Sequence, residues 1–340
     1  MTRIAVVLFN LGGPDSPDSV QPFLKNLFSD PMILRVPGPL RWFLSRLIAW
    51  RRAPVAREIY AEIGGRSPIL PETEKQAAAL QSALGEGYRV FIAMRYWHPF
   101  AASVARDVLK WSPGRIVLCP LYPQFSTTTT ESFTRVWSTA AEDIGLTAPT
   151  STICCWPDVS GFVETIARMT DAAIDSLFDN TNFRVLFSAH GLPKKIVDGG
   201  DPYPKQVERT ASAILDQMKH KGIDNLVCYQ SRVGPLEWLK PYTEDEIKKA
   251  GAEGRSLIIV PVAFVSEHSE TLVELDIEYA ELAARAGVQE YIRVPTVGAE
   301  NDFIQSIASL VRTAPEIGTA SGSEGCPADS KDCPLQQRST

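Results

Sequence analysis

Short runs of β-branched and other apolar residues recur along the chain, over residues 3–9, 88–95, 115–119, 184–188, 225–229, 257–264 and 290–294. Between several of them, apolar positions return at three- and four-residue intervals, as over 72–84, 100–110, 163–177 and 204–219. The first pattern predicts strands and the second amphipathic helices. Strands alternating with helices build parallel sheets through right-handed crossovers. Near-continuous apolar strands such as 257–262 suit sheets covered on both faces. The pattern predicts an α/β protein of two similar halves, divided near residues 145–160, and no internal repeat relates them. From residue 314 to 340 the periodicity stops and Gly, Ser, Pro and charge take over, which reads as a flexible tail. That tail nevertheless holds two cysteines.

Composition narrows the class. The 340 residues are 44% hydrophobic and 22% charged, enough to bury cores in two domains. A net charge of −6 argues against nucleic-acid binding through bulk charge. No stretch reaches the roughly 18 apolar residues of a membrane span. The apolar run at 4–9 is shorter than a secretory core segment. Six cysteines are too few for a disulfide scaffold in a chain this long. The expectation is a cytoplasmic enzyme or carrier.

One stretch departs from the average. Between Asp30 and Glu58 there is no acidic residue, yet Arg35, Arg41, Arg46, Arg51, Arg52 and Arg57 are interleaved with Leu40, Trp42, Phe43, Leu44, Leu47, Ile48 and Trp50. Two readings stand for this basic amphipathic element at about 31–57. In one, Leu40, Phe43, Leu44 and Leu47 face the core of an ordinary surface helix. In the other, the arginines and tryptophans together meet a membrane surface or an anionic ligand.

In open parallel sheets, ligands bind beyond the carboxyl ends of the strands. Past the predicted strand ends stand Asn10-Leu11-Gly12-Gly13, Arg95-Tyr96-Trp97-His98, Tyr122, His190, Gln230-Ser231 with Trp238 close behind, and Phe264 with Glu267, His268 and Glu270. Three of the four histidines lie on this rim, with the aromatics Tyr96, Trp97, Tyr122, Trp238 and Phe264. Such a rim suits a flat apolar ligand with a metal or proton-transfer centre. Nucleotide and hydrolase signatures are missing: no G-x-G-x-x-G, no phosphate loop, no G-x-S-x-G and no H-E-x-x-H. Glu267, Glu270, Glu274 and Glu278, at i, i+3, i+7 and i+11, predict a carboxylate line down one helix face, opposite Leu272, Leu275 and Ile277. Helix-dipole stabilisation explains acids in a first turn but not a stripe of this length. A neutral imidazole facing a carboxylate can hold Fe(II) or accept protons near neutral pH.

At these residues the chain resembles the ferrochelatase family. The likeness runs from Val6 to about Val311, through LFNLGGP at 8–14, GGRSP at 64–68, MRYWHP at 94–99, YPQFS at 122–126, SAHGLP at 188–193, GDPYP at 200–204, YQSRVGP at 229–235 and VAFVSEHSETLVELDIEY at 262–279. It implies two similar Rossmann-like lobes with parallel four-stranded sheets flanked by helices, and a porphyrin cleft between them. One lobe covers 1–150, completed by a helix at about 300–313, and the other covers 151–299. The implied reaction inserts Fe(II) into protoporphyrin IX, releasing two protons, as the last step of haem biosynthesis. The implied metal-binding and catalytic pair is His190 and Glu270, with Glu267, Glu274 and Glu278 as a path for protons or metal. The implied porphyrin-binding positions are Leu11, Arg95, Tyr96, Tyr122, Ser231, Trp238 and Phe264. The arginine-rich lip, with Arg51 and Arg52, implies peripheral contact with the inner face of a membrane.

No cofactor is required for that chemistry, since iron is a substrate. Some family members hold a [2Fe–2S] cluster through four cysteines, and here Cys154, Cys155, Cys326 and Cys333 are the candidate ligands. The other reading leaves them as free thiols. Alternative functions are a chelatase for another tetrapyrrole such as coproporphyrin III, or a non-catalytic porphyrin or haem carrier. The chain is expected as a monomer or homodimer, without nucleic-acid partners.

Overall fold

A computed structural model describes residues 3–322 and 331–335. The chain divides into two compact units, one of residues 1–154 with 307–320 and one of 155–306 with 321–340. The helix Asn301–Thr313 is shared between them by this division.

The first unit is built on a five-stranded sheet. Its strands are β1 (Ile4–Asn10), β2 (Tyr88–Met94), β3 (Arg115–Pro120), β4 (Thr150–Ile153) and β9 (Gly318–Ala320), in the order β2-β1-β3-β4-β9. The second unit has four, β5 (Phe183–His190), β6 (Asn225–Gln230), β7 (Ser256–Pro261) and β8 (Tyr291–Arg293), in the order β6-β5-β7-β8. Every pairing is parallel. All six residues of β7 are buried, as expected of a strand covered on both faces.

Two strands escape the sequence pattern. β4 carries one large apolar residue, Ile153, in the sequence TSTI, and β9 is the tripeptide GTA. Both are short, β4 between β3 and β9 and β9 at the edge, and both are placed by their neighbours rather than by an apolar run of their own. Residues 318–320 correct the expectation of a flexible tail from 314 on, because β9 pairs with β4 and Cys154 N–H donates to Ala320 C=O at 2.8 Å. The first sheet has five strands rather than four for the same reason.

The double glycine after β1 has a packing explanation. Gly12 has φ +82°, and a Cβ there would lie 3.0 Å from Met94 Cβ, while one on Gly13 would lie 2.5 Å from the Ser67 side chain. The close approach is to the protein's own first unit.

The helix Gly38–Ala61 corrects the core-facing reading of the basic element. It buries Ser45, Ala49, Ala53 and Tyr60. The first three recur every four residues and bring the helix close to Val20, Phe23 and Leu24 of the helix Val20–Ser29. Small residues therefore make the contact, and Leu40, Phe43 and Leu47 do not face the core. They stand exposed with Trp42 (58% exposed) and Trp50 (66%). The Arg46 guanidinium sits 3.7 Å from the centre of the Trp42 ring. Among the described residues no helix is long and apolar enough to cross a membrane.

Candidate functional site

In the second unit, the carboxyl ends of β5, β6 and β7 bring His190, Ser231 and the segment around Phe264 to one rim. His190 is the last residue of β5, and its own carbonyl accepts a 2.9 Å hydrogen bond from the Tyr203 hydroxyl. Nδ1 lies 2.6 Å from the Gly191 carbonyl, which can only accept, so Nδ1 carries the proton. In the neutral ring Nε2 is then left with a bare lone pair. Gly191 has little room, since a Cβ would lie 3.0 Å from Gln230 O and 3.2 Å from the Trp238 ring. Trp238 tilts beside His190 with ring centres 6.3 Å apart.

Beyond β7 the chain turns through Phe264 and His268 into a π-helix, Glu270–Glu278. Helices of this register are rare and frequent at functional sites. His190 Nε2 lies 3.8 Å from Glu270 Oε1, and His268 Nε2 lies 3.8 Å from Glu270 Oε2. Neither distance is a hydrogen bond. Glu270 Oε2 is buried and has no hydrogen-bond partner. Burial and the charge of Arg293, opposed by Glu270 and Glu267, hold the His268 imidazole below its ordinary pKa. Phe264 packs on His268 with ring centres 4.6 Å apart.

Glu274 continues from Glu270 along the π-helix. It accepts from Gln230 Nε2 at 3.0 Å, from Ser231 N–H at 2.8 Å, from Tyr279 Oη at 3.0 Å and from the Ser231 hydroxyl. Ser231 takes φ +64°, a left-handed backbone that a serine adopts at a cost. The conformation lets its N–H and its hydroxyl reach the same carboxylate. Burial and the neighbouring Glu270 raise the Glu274 pKa above the ordinary carboxylate value, against the Ser231 and Gln230 bonds. Ser231, expected among the porphyrin contacts, is thus bonded to a carboxylate.

The acidic stripe needs a correction. Glu267 precedes the helix instead of sharing its face. It accepts from Arg293 Nη1 at 2.7 Å, Thr296 N–H at 2.9 Å and Thr296 Oγ1 at 3.1 Å. Burial would raise its pKa, but the Arg293 charge and the donors from Thr271, Thr296 and Arg293 pull it below the ordinary value. Glu278, at the helix end, is exposed.

The first unit gathers Leu11, Arg95, Tyr96 and Tyr122 at the carboxyl ends of β1, β2 and β3. Arg95 Nη2 pairs with Asp30 Oδ2 at 2.8 Å, and Arg95 Nε donates to Ser132 Oγ at 2.7 Å. Tyr96 has no exposed surface and donates its hydroxyl to Asp30 at 2.6 Å. It braces Arg95 from the core and does not face solvent. Burial raises the Tyr122 hydroxyl pKa, and its ring meets Phe9 edge-on at 6.2 Å. Leu11 is half-buried against the cluster of Val20, Phe23 and Tyr96.

Sequence reasoning missed Asp30, Gln230, Tyr279 and Arg293. Gln230 was in view as a strand-end residue. Asp30 and Arg293 carry no local signal, because their partners lie far off in the chain, and Tyr279 reaches Glu274 only through the register of the helix that it follows.

Of the candidate cluster ligands, Cys154 is buried after β4 in the first unit, and Cys155 and Cys333 are buried in the second. Cys155 Sγ lies 3.3 Å from Ser321 Oγ. Cys326 lies outside the described residues. Among the described residues no three His, Cys, Asp or Glu side chains are grouped to hold a metal ion.

With this geometry in hand, comparisons with known proteins add independent findings. A family model described as "Ferrochelatase" matches residues 3–314. A "Ferrochelatase" of Caulobacter vibrioides is 49% identical over 344 residues, covering 98% of each chain. One of Phenylobacterium zucineum is 47% identical over 348 residues, covering 99% of each. Among solved structures, the sirohydrochlorin chelatase SirB of Bacillus subtilis subspecies spizizenii, in complex with cobalt, aligns with a TM-score of 0.52 at 11% identity. It covers 91% of this chain and 94% of its own. That likeness concerns the fold.

Proposed function

The chain belongs to the ferrochelatase family, and on that premise we propose that His190 and Glu270 are the pair that handles iron and protons in its reaction. The activity is that of a lyase of haem biosynthesis, with Fe(II) and protoporphyrin IX as substrates. Free porphyrin presents two inner N–H groups, so insertion needs a base for two protons and a way to bring the ion to the pyrrole nitrogens.

One observation carries this reading. The Glu270 carboxylate turns one oxygen to His190 and the other to His268, each at 3.8 Å, with Oε2 buried and unpartnered. A buried acceptor without a partner costs about 1–3 kcal/mol. An ion or a proton arriving there removes that cost. Ligand bonds of about 2.0–2.2 Å, the length typical of His and carboxylate ligands to a divalent ion, can span the His190–Glu270 gap. A site with so few ligands suits a substrate that must leave again.

The bare Nε2 of His190 accepts a proton from the porphyrin. Glu274, whose pKa burial and Glu270 raise above the ordinary carboxylate value, is the next group able to take it. Glu267, fixed as an anion by Arg293, is better suited to anchoring than to carrying protons. Glu278 opens the route to solvent.

For the macrocycle we assign Trp238 and Phe264 in the second unit; Leu11, Arg95 and Tyr122 in the first unit are the other positions that the family resemblance implies. Tyr96 supports Arg95, and Ser231 supports Glu274. Rigid apolar and aromatic walls that hold the ring out of plane expose its nitrogens, with the strain supplied by binding of the rest of the ring. The exposed Trp42, Phe43 and Trp50, flanked by arginines, are the surface we assign to peripheral membrane contact, where apolar substrate is delivered.

The test is Zn(II) insertion into protoporphyrin IX, followed by visible absorbance, for the wild type and Glu270→Gln. Loss of insertion with porphyrin binding retained supports the assignment; unchanged insertion removes Glu270 from it.

A further inference from the structure

The π-helix Glu270–Glu278 is fastened to both edges of its sheet. At the β6 edge, Gln230 and Ser231 hold Glu274. At the opposite edge, β8 reaches it with two side chains. Tyr291 Oη donates to the Leu275 carbonyl at 2.7 Å. Arg293 Nε donates to Asp276 Oδ1 at 2.7 Å, and Nη2 pairs with the other oxygen of the same carboxylate. The remaining Arg293 nitrogen, Nη1, binds Glu267 Oε1 at 2.7 Å. One guanidinium, with 10% of its side chain exposed, thus ties a residue ahead of the helix to a residue well inside it.

The arrangement is more than surface pairing. Asp276 is bound bidentately, the geometry in which arginine gives position as well as energy. A π register is rare because i→i+5 bonds are poorer than those of an α-helix, so nine residues of it need holding from outside. Winding the segment as an α-helix turns Asp276 and Glu270 through different angles relative to Glu267. The two carboxylates would then no longer meet Arg293 together, and Glu270 would no longer lie between His190 and His268.

We propose that Arg293 is a positioning residue for metal insertion: by binding Glu267 and Asp276 at once, with Tyr291 beside it, it holds the π-helical segment so that Glu270 faces His190. Arg293 touches neither substrate and acts through Glu270. The proposal rests on the assignment of Glu270 above.

The experiment measures Zn(II) insertion into protoporphyrin IX, porphyrin binding by fluorescence and thermal unfolding. It compares wild type, Arg293→Gln, Tyr291→Phe, Glu270→Gln and the double variant Arg293→Gln/Glu270→Gln. Arg293→Gln is expected to lower kcat about 10- to 100-fold, the size of effect that a small misplacement has, with KM for porphyrin unchanged. Tyr291→Phe, which removes one hydroxyl, lowers kcat about 3-fold and folds normally, keeping the test open if Arg293→Gln does not fold. Because Arg293 acts through Glu270, the double variant is no slower than Glu270→Gln alone, a non-additivity that general loss of stability does not produce. Multiplying effects in the double variant, or folded Arg293→Gln and Tyr291→Phe enzymes with wild-type kcat, overturn the proposal. If instead Glu270→Gln itself inserts metal normally, the assignment of Glu270 has failed, and the proposal with it.

Discussion

His190 Nε2 faces Glu270 Oε1 at 3.8 Å across a gap that no hydrogen bond closes. Each partner is fixed from behind. The imidazole is held by the Gly191 carbonyl at Nδ1, and the glutamate begins a π-helix anchored at both edges of the sheet. The open gap between two fixed groups is the feature on which the proposed chemistry turns.

Gly191→Ala tests the support of the histidine. The new methyl group would press on Gln230 O and on Trp238, both closer than ordinary contact. Overpacking of this kind costs about 1–3 kcal/mol. The expected result is a lower melting temperature together with slower insertion. A variant as stable and as active as wild type would mean that the turn after β5 has slack.

Ser231→Ala tests the hold on Glu274. The serine hydroxyl favours the ionised carboxyl, so its loss pushes the already raised Glu274 pKa higher. Where Glu274 must be ionised to take a proton, the acid limb of the kcat–pH profile moves to higher pH, with the plateau little changed. A profile that stays in place removes Glu274 from the proton route.

Glu267 predicts a pH effect on stability of the opposite character. Its folded pKa lies below the ordinary 4.5, because the charge and donors of Arg293 and the threonines outweigh burial. The unfolded state therefore binds more protons in that window. The stability it contributes is complete above the unfolded pKa and is lost as pH falls through the folded one. Chemical denaturation from pH 6 down to pH 3 should show Glu267→Gln losing less stability than wild type. An equal acid loss in both proteins would contradict the ion pair.

The exposed apolar face of the helix Gly38–Ala61 predicts binding to lipid vesicles. Trp42→Ser/Trp50→Ser should weaken co-sedimentation with anionic vesicles by about tenfold, while Zn(II) insertion into detergent-solubilised porphyrin stays at the wild-type rate. Undiminished co-sedimentation would assign the patch to something else.

Much of this was legible in the chain. Parallel strands such as β1, β5 and β7 announce themselves because both faces are buried and most of their residues are apolar. His190 and Glu270 stand out as rare or charged residues at or beyond the carboxyl ends of strands, where open α/β sheets place ligands. β4 and β9 were not legible, since strands of three or four residues with few large apolar side chains are specified by their neighbours. The basic helix misled in one respect: its contact face is made of Ser45, Ala49 and Ala53, and a search for large apolar residues points to the solvent side. The regular spacing of Glu267 with Glu270 and Glu274 presumed an α-helix, and neither the π register nor the turn ahead of it has a sequence signature. Arg293 and Asp30 were invisible because their partners are far away in the chain.

The most direct measurement is anaerobic insertion of Fe(II) into protoporphyrin IX by wild type and by His190→Ala, with porphyrin binding followed in parallel by fluorescence. The account predicts metalation by the wild type, and in the variant its collapse with porphyrin still bound. A His190→Ala protein that binds porphyrin and metalates it at the wild-type rate would contradict the assignment of His190 and the mechanism built on it.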